Sequence, residues 1–249
     1  MVNARTALLL VILLALSGCA GAARVSLRTG LPPLGPCADP GWAPEAPPPT
    51  ASTRDSLVLV AIQEWARFGR QEVRFGVDGS VSVQRPGIIE VDVPERVRDY
   101  WRATGRPDLS GLDDVPWSAT FVSWVAANAG VDRDRFCPDA RHSIYVERLV
   151  DRARQAGAGF VPRRVGERPP AVGDIVCAER EGSGVSLDRL NRGAGHCDIV
   201  VELRPGEVHA IGGNVRDSVS RSVFPRDANG FLTPLPQRPF FAVLENRLP

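Results

Sequence analysis

The apolar positions of this chain change rhythm from one end to the other. Ala7 to Leu16 is an unbroken apolar run, shorter than the roughly 20 residues a bilayer-spanning helix needs. Val58, Ala61, Ile62, Trp65 and Phe68 then recur at helical spacing and predict a helix over about 53–68. Ser52 or Thr53 can cap it, and Gly69 can end it. Val81 and Val83 alternate with serines near Asp78-Gly79, the pattern of a short hairpin. Val97, Tyr100 and Trp101 share one face of a second helix over about 94–104. A third helix is predicted from Pro116, whose missing N–H is not needed in a first turn, to Gly130. Its apolar surface, Trp117, Phe121, Trp124 and Val125, reads as core. A fourth covers about 143–155. The rhythm then shortens: 174–177, 196–201, 208–211, 219–224 and 240–244 read as strands separated by Gly and Pro. Helices first and antiparallel strands afterwards indicate an α+β fold, with N-terminal helices packed on a C-terminal antiparallel β-sheet. The stretch 181–195, rich in Gly, Arg and Asn, reads as a mobile loop, and no internal repeat is evident.

The first apolar run has the length of a signal-peptide core and follows a single positive charge, Arg5. Leu16-Ser17-Gly18-Cys19-Ala20 comes next. It resembles the lipobox of bacterial lipoproteins, in which the cysteine is lipidated and the peptide before it removed. The alternative is an ordinary secretory signal with a chance cysteine. The resemblance implies lipidation at Cys19 and attachment to a membrane, and Ala20 after the cysteine favours the outer membrane, facing the periplasm. Several acyl chains, at about 0.8 kcal/mol per buried methylene, make a firm anchor. Pro32, Pro33, Pro36, Pro40, Pro44 and Pro47-Pro48-Pro49 crowd the next segment, which reads as an extended tether. The expected organisation is a signal peptide over 1–18, a lipidated tether over 19–51 and one domain over 52–249. About 30 extended residues at roughly 3.1 Å each would reach on the order of 90 Å.

Charge narrows the chemistry. Lys+Arg 30 against Asp+Glu 29 gives a net +1, with no basic stripe, so nucleic acid is not implied. Lysine is absent, which excludes a Ser-Lys dyad, a Schiff base and a Walker A lysine. GxGxxG and HExxH patterns are also absent. No cofactor or metal is implied, and oligomeric state is not legible. Any imidazole base must come from His142, His196 or His209. Cys37, Cys137, Cys177 and Cys197 remain after processing, and four cysteines allow three connectivities. Cys177 with Cys197 is the expected pair, because they fall on strands expected to be neighbours; free buried thiols are the alternative.

Three pieces carry the candidate chemistry: Pro116-Trp117-Ser118-Ala119, Gly195-His196-Cys197-Asp198-Ile199-Val200 and Gly212-Gly213-Asn214-Val215. In this order they resemble papain-like CHAP and NlpC-type domains, many of them cell-wall amidases and peptidases. Gly173-Asp174 matches the strand opening usual there, with Val172 where a proline often stands. The details are closest to an uncharacterised bacterial branch, domain of unknown function 2272 (DUF2272), and the likeness covers roughly 55–245. It implies a papain-like fold, a nucleophile at a helix start, a base on a following strand and a polar orienting group. By position these are Ser118, His196 and Asn214. The relatives have cysteine where this chain has Ser118, and a glutamate common among CHAP proteins falls at Gly212. A thiol at a helix N-terminus readily becomes a thiolate; a serine must instead lose its proton to the base during attack.

Simpler roles stand beside these. Ser118 can be a helix cap, and Asn214 after two glycines can be a turn residue. Asp198 shares a strand face with His196 by period two, so it can orient that ring or be a solvated charge. Cys197 points to the other face. His142 should begin the fourth helix, structural or lining the cleft beside Trp117, and His209 reads as exposed. The leading expectation is a membrane-anchored hydrolase of peptide or amide bonds, with peptidoglycan as substrate class. The rivals are a non-catalytic wall-binding or envelope-assembly protein, and a serine esterase using the same cleft.

Overall fold

Four helices and eight strands build an α+β domain in the computed structural model, which describes residues 34–48, 52–180 and 182–249. Cys19 and the apolar run before it lie outside the described residues. Among the described residues no helix is long and apolar enough to cross a membrane. Helix α1 (Thr53–Arg67) begins where Ser52 Oγ accepts a hydrogen bond from the Asp55 N–H. Helix α2 (Pro94–Arg102) starts on a proline. Helices α3 (Ser118–Asn128) and α4 (His142–Arg152) follow. Nearly every residue of α3 is buried, as expected of a helix apolar on almost all sides.

The strands are β1 (Gln71–Phe75), β2 (Val81–Arg85), β3 (Phe160–Arg163), β4 (Ile175–Glu179), β5 (Gly195–Arg204), β6 (Glu207–Gly212), β7 (Ser220–Pro225) and β8 (Phe240–Asn246). They form one sheet in the order β2-β1-β7-β6-β5-β4-β8-β3. All pairings are antiparallel except β1 with β7. The sheet is therefore not wholly C-terminal: the early hairpin joins it through that parallel pair. The helices cover one face, where Leu57, Phe121, Tyr145, Ile175, Cys177, Cys197 and Ile199 form the larger core. On the other face Val73, Phe75, Val176, Val200, Phe224 and Leu235 form a second core. Alternation along β5 thus sends Cys197 and Ile199 toward the helices and Val200 away from them.

Cys177 and Cys197 are direct partners on β4 and β5, and their sulfurs are bonded. Gly173 and Asp174 fasten the start of β4. Asp174 is fully buried and accepts hydrogen bonds from the N–H groups of Ala171 and Asn246, while Arg168 pairs with it at 3.2 Å. Gly173 has φ 89°, and a Cβ there would lie 2.8 Å from Arg54 Cγ. A second buried charge, Glu64, is held by Arg96 at 2.6 Å and by the Tyr100 hydroxyl at 2.6 Å, which ties α1 to α2.

Two expectations need correction. His209 is not exposed: it is 1% accessible, because β6 lies inside the sheet with Glu202 and Val223 on either side. Its Nε2 meets Glu207 Oε2 at 2.8 Å. The segment read as an open tether is, over 34–48, a strap along the domain. Cys37 is disulfide-bonded to Cys137, Trp42 packs against the helix-side core, Asn128 Oδ1 accepts from the Glu45 N–H, and Arg148 donates to the Gly35 carbonyl. Prolines keep this segment extended; the disulfide and these contacts decide that it lies down.

The Cys37–Cys137 bond closes a separation of 100 residues. Replacing both cysteines by serine is expected to cost about 2–4 kcal/mol in chemical denaturation. It should also expose residues 34–48 to limited proteolysis while the remaining domain stays resistant.

Candidate functional site

Ser118 is the first residue of α3, and Trp117 occupies the cap position with no side-chain cap bond. The Ser118 hydroxyl is therefore not spent on capping. Its Oγ lies 2.7 Å from His142 Nε2. His142 opens α4, and its Nδ1 lies 2.5 Å from the hydroxyl of Tyr145, one turn further along the same helix. All three side chains are buried, Ser118 to 2% accessibility and His142 to 4%.

The electrostatics keep this chain neutral. Burial holds His142 well below the usual histidine range, with His196, Arg180 and Arg238 adding positive charge nearby. Burial, and then the carboxylates Asp198 and Asp139, hold the Tyr145 phenol well above its ordinary range. A neutral imidazole has one donor and one acceptor nitrogen. In the tautomer whose Nδ1–H donates to Tyr145, Nε2 can accept the Ser118 proton. The first intrahelical bond of α3 runs from the Phe121 N–H to the Trp117 carbonyl. The N–H groups of Ser118, Ala119 and Thr120 are the open donors of a helix start.

His196 takes a different partner. Its Nε2 lies 3.2 Å from Asp198 Oδ1, both side chains being buried. Burial opposes the Asp198 charge, but His196 and Arg238 outweigh it and hold the carboxyl below the ordinary range. Burial and Arg238 lower His196 as well, despite Asp198. Gly212 makes room for the pair: a Cβ there would fall 2.0 Å from Asp198 Oδ1 and 3.0 Å from His196 Nε2. The ring of His196 lies 5.7 Å, centroid to centroid, from that of His142.

Asn214 does not complete this group. It sits just past β6 at φ 56°, and its amide donates to Glu90 Oε2 at 3.0 Å. Glu90 also accepts from the Trp117 indole N–H. Trp117, fully buried, thus belongs to a brace of Asn214, Glu90 and Trp117 that holds the start of α3. Burial raises the Glu90 carboxyl, although the bonds from Trp117 and Asn214 lower it.

The structure therefore brings Ser118 to His142, and His196 to Asp198. Among the described residues no hydrogen bond joins Ser118 to His196 or His196 to Asn214. Asp198 takes the His196 Nε2, Glu90 takes the Asn214 amide, and Cys197, in the disulfide, occupies the helix-facing position between His196 and Asp198. The role of Tyr145 was not read from the sequence, although His142 and Tyr145 at i and i+3 of a helix start carried the signal. No group of three or more His, Cys, Asp or Glu that could hold a metal ion occurs among the described residues.

Fold and site together define an α+β protein with a buried serine–histidine–tyrosine chain at the meeting of two helix starts. Residues 96–245, more than half of the chain, match the family described as uncharacterized protein conserved in bacteria (DUF2272), and the chain belongs to that family. No curated protein and no solved structure matches it.

Gly212→Ala should break the His196–Asp198 pair and cost on the order of 1–3 kcal/mol, measured by denaturation. The lowered histidines set a pH dependence. Unfolded, each binds a proton below about pH 6.5; folded, each resists it. Stability is thus fully present above that value and is lost as pH falls through the window below it. The loss is up to about 1.4 kcal/mol per pH unit for each histidine. Thermal unfolding between pH 7 and pH 5 should show a falling midpoint, less steep in His142→Gln.

Proposed function

We propose that this protein is an envelope hydrolase of peptide or amide bonds, with a papain-like, CHAP- and NlpC-type arrangement in which serine replaces cysteine. The observation that carries this reading is the 2.7 Å contact of Ser118 Oγ with a neutral His142 backed by Tyr145. The base is then His142 rather than His196. Ser118 Oγ attacks the carbonyl carbon as its proton passes to His142 Nε2. The open N–H groups at the start of α3, at the positive end of its dipole, receive the developing oxyanion. His142 returns the proton to the leaving amine as the C–N bond breaks, and water then cleaves the acyl-serine by the same route. Asp198 fixes His196 beside the pair. Gly212, where CHAP relatives carry an acid, fits this reading, since Asp198 supplies the carboxylate from the neighbouring strand.

Export and lipidation at Cys19 complete the proposal. They make peptidoglycan the substrate class and the periplasmic face of the outer membrane the location. Seventeen residues lie between Cys19 and Cys37, so the leash is on the order of 60 Å at full extension. That is shorter than a tether reaching to residue 51.

A fluorophosphonate probe is expected to label the full-length protein at Ser118 and not Ser118→Ala. Loss of the base should slow labelling about 10²-fold or more in His142→Ala, with a smaller loss in His196→Ala. The reverse order would return the base to His196. Absence of labelling, with muropeptides still bound, would replace the hydrolase by the wall-binding reading. Separately, Cys19→Ser should move the expressed protein from the detergent phase to the aqueous phase; an unchanged partition would remove the lipid anchor.

A further inference from the structure

Two cavities open beside the site, and Arg180 lines both. One, of about 430 Å³, holds Ser118 and His142; its wall includes Arg106, Arg141, Arg180 and Arg192 and no carboxylate. The other, of about 420 Å³, holds His196 and Asn214, with Arg180, Arg216 and Arg238 against one acid, Glu179. Among the described residues, six arginines and one acid line these two cavities, in a chain whose cations and anions number 30 and 29. The imbalance is local to the cleft.

Asp198 acts on Arg238, whose guanidinium also lies 5.0 Å from the centroid of the Phe75 ring. Arg106 pairs with Asp108 at 2.9 Å, and Arg192 lies 3.7 Å from Glu147. No salt bridge to Arg141, Arg216 or Arg238 occurs among the described residues. Arg216 is presented by a turn in which Asn214, Arg216 and Asp217 all adopt positive φ, between 52° and 60°. Non-glycine residues rarely do so, and a run of them is maintained only where the surroundings impose it. Arg180 and Arg238 also depress the proton affinity of both site histidines. Cationic side chains therefore predominate among the charged residues that line the two cavities. Guanidinium groups suit carboxylates and phosphates, which they grip with two parallel hydrogen bonds.

We propose that the cleft takes an anionic peptide, whose free carboxylate seats among Arg180, Arg216 and Arg238 while a carbonyl of the same molecule lies over Ser118. The placement of the carbonyl rests on the hydrolase reading; the seat for the carboxylate does not. It gives the site a preference for substrates ending in an acid, and it excludes cationic peptides by repulsion.

The test is binding, measured on full-length Ser118→Ala so that no turnover intervenes. N-acetyl-alanyl-alanine is compared with its C-terminal amide by calorimetry at low and at high salt. The acid is expected to bind at least tenfold more tightly than the amide at low salt, and the gap should narrow as salt screens it. Arg216→Gln, a surface change, and Arg238→Gln should each close most of the gap, and the acid should raise the His196 pKa followed by NMR. Equal binding of acid and amide, or a gap that survives both arginine variants, would overturn the proposal. So would inorganic phosphate binding as tightly as the dipeptide, which would assign the cleft to phosphoryl ligands. Acid preference in a protein that no fluorophosphonate labels would support the seat while removing the nucleophile.

Discussion

A buried imidazole needs a partner for each nitrogen that water cannot reach, and the architecture around Ser118 follows from that requirement. His142 satisfies it with Ser118 on one side and Tyr145 on the other. This fixes the ring between the starts of two helices and leaves it uncharged. His196 meets Asp198, and that pair exists only because residue 212 has no side chain. Asn214 instead donates to Glu90, which also accepts from Trp117, the residue before Ser118. The three site segments are linked in this way, although none of the links is the one that their order along the chain suggests.

Positive charge has a consistent role in this arrangement. A serine hydroxyl gains little from a helix dipole in its ground state, unlike a thiol. It gains when negative charge develops in the transition state, because fixed dipoles and cations already point there. Open N–H donors at the start of α3 and a base that is neutral at rest suit that requirement. Burial first, and then the charges of Arg180 and Arg238, disfavour a protonated His142, whether in a preformed ion pair or as the imidazolium formed during attack. On the proposed reading, Ser118 relies on the donors at the start of α3 to receive developing charge rather than on a resting ion pair.

Much of the fold was legible because the local signals agree with the packing. α1 has its serine cap, α2 starts on Pro94, and five strands stand between glycines and prolines. β3 was not legible: Phe-Val-Pro-Arg is short and contains a proline. It is tolerated because β3 is the edge strand, where a missing N–H donor costs little. The strap was misread for another reason. Proline content reports stiffness and extension but not where a segment lies, and a disulfide across 100 residues leaves no trace in spacing. At the site, period two placed Asp198 with His196 and Cys197 opposite them. Which histidine faces the serine depends on how α4 docks against α3, and no periodicity within one element encodes that.

The strap disulfide lies close to the chemistry. Cys137 stands five residues before His142, and Ser123 of α3 binds the same segment, donating to the Asp139 carbonyl and accepting from its N–H. The chain arriving from the N-terminus is thus fastened to the segment that delivers His142. Any tension or restraint transmitted along that chain arrives at the disulfide rather than at a freely jointed linker. A protein held by its N-terminus would be held through the strap, at Cys37, rather than at the start of α1. For a hydrolase this confines action to polymer within reach; for a binder it would fix a bridge of defined length. The strap serves both equally, and the chemistry of Ser118 with His142 is what distinguishes them.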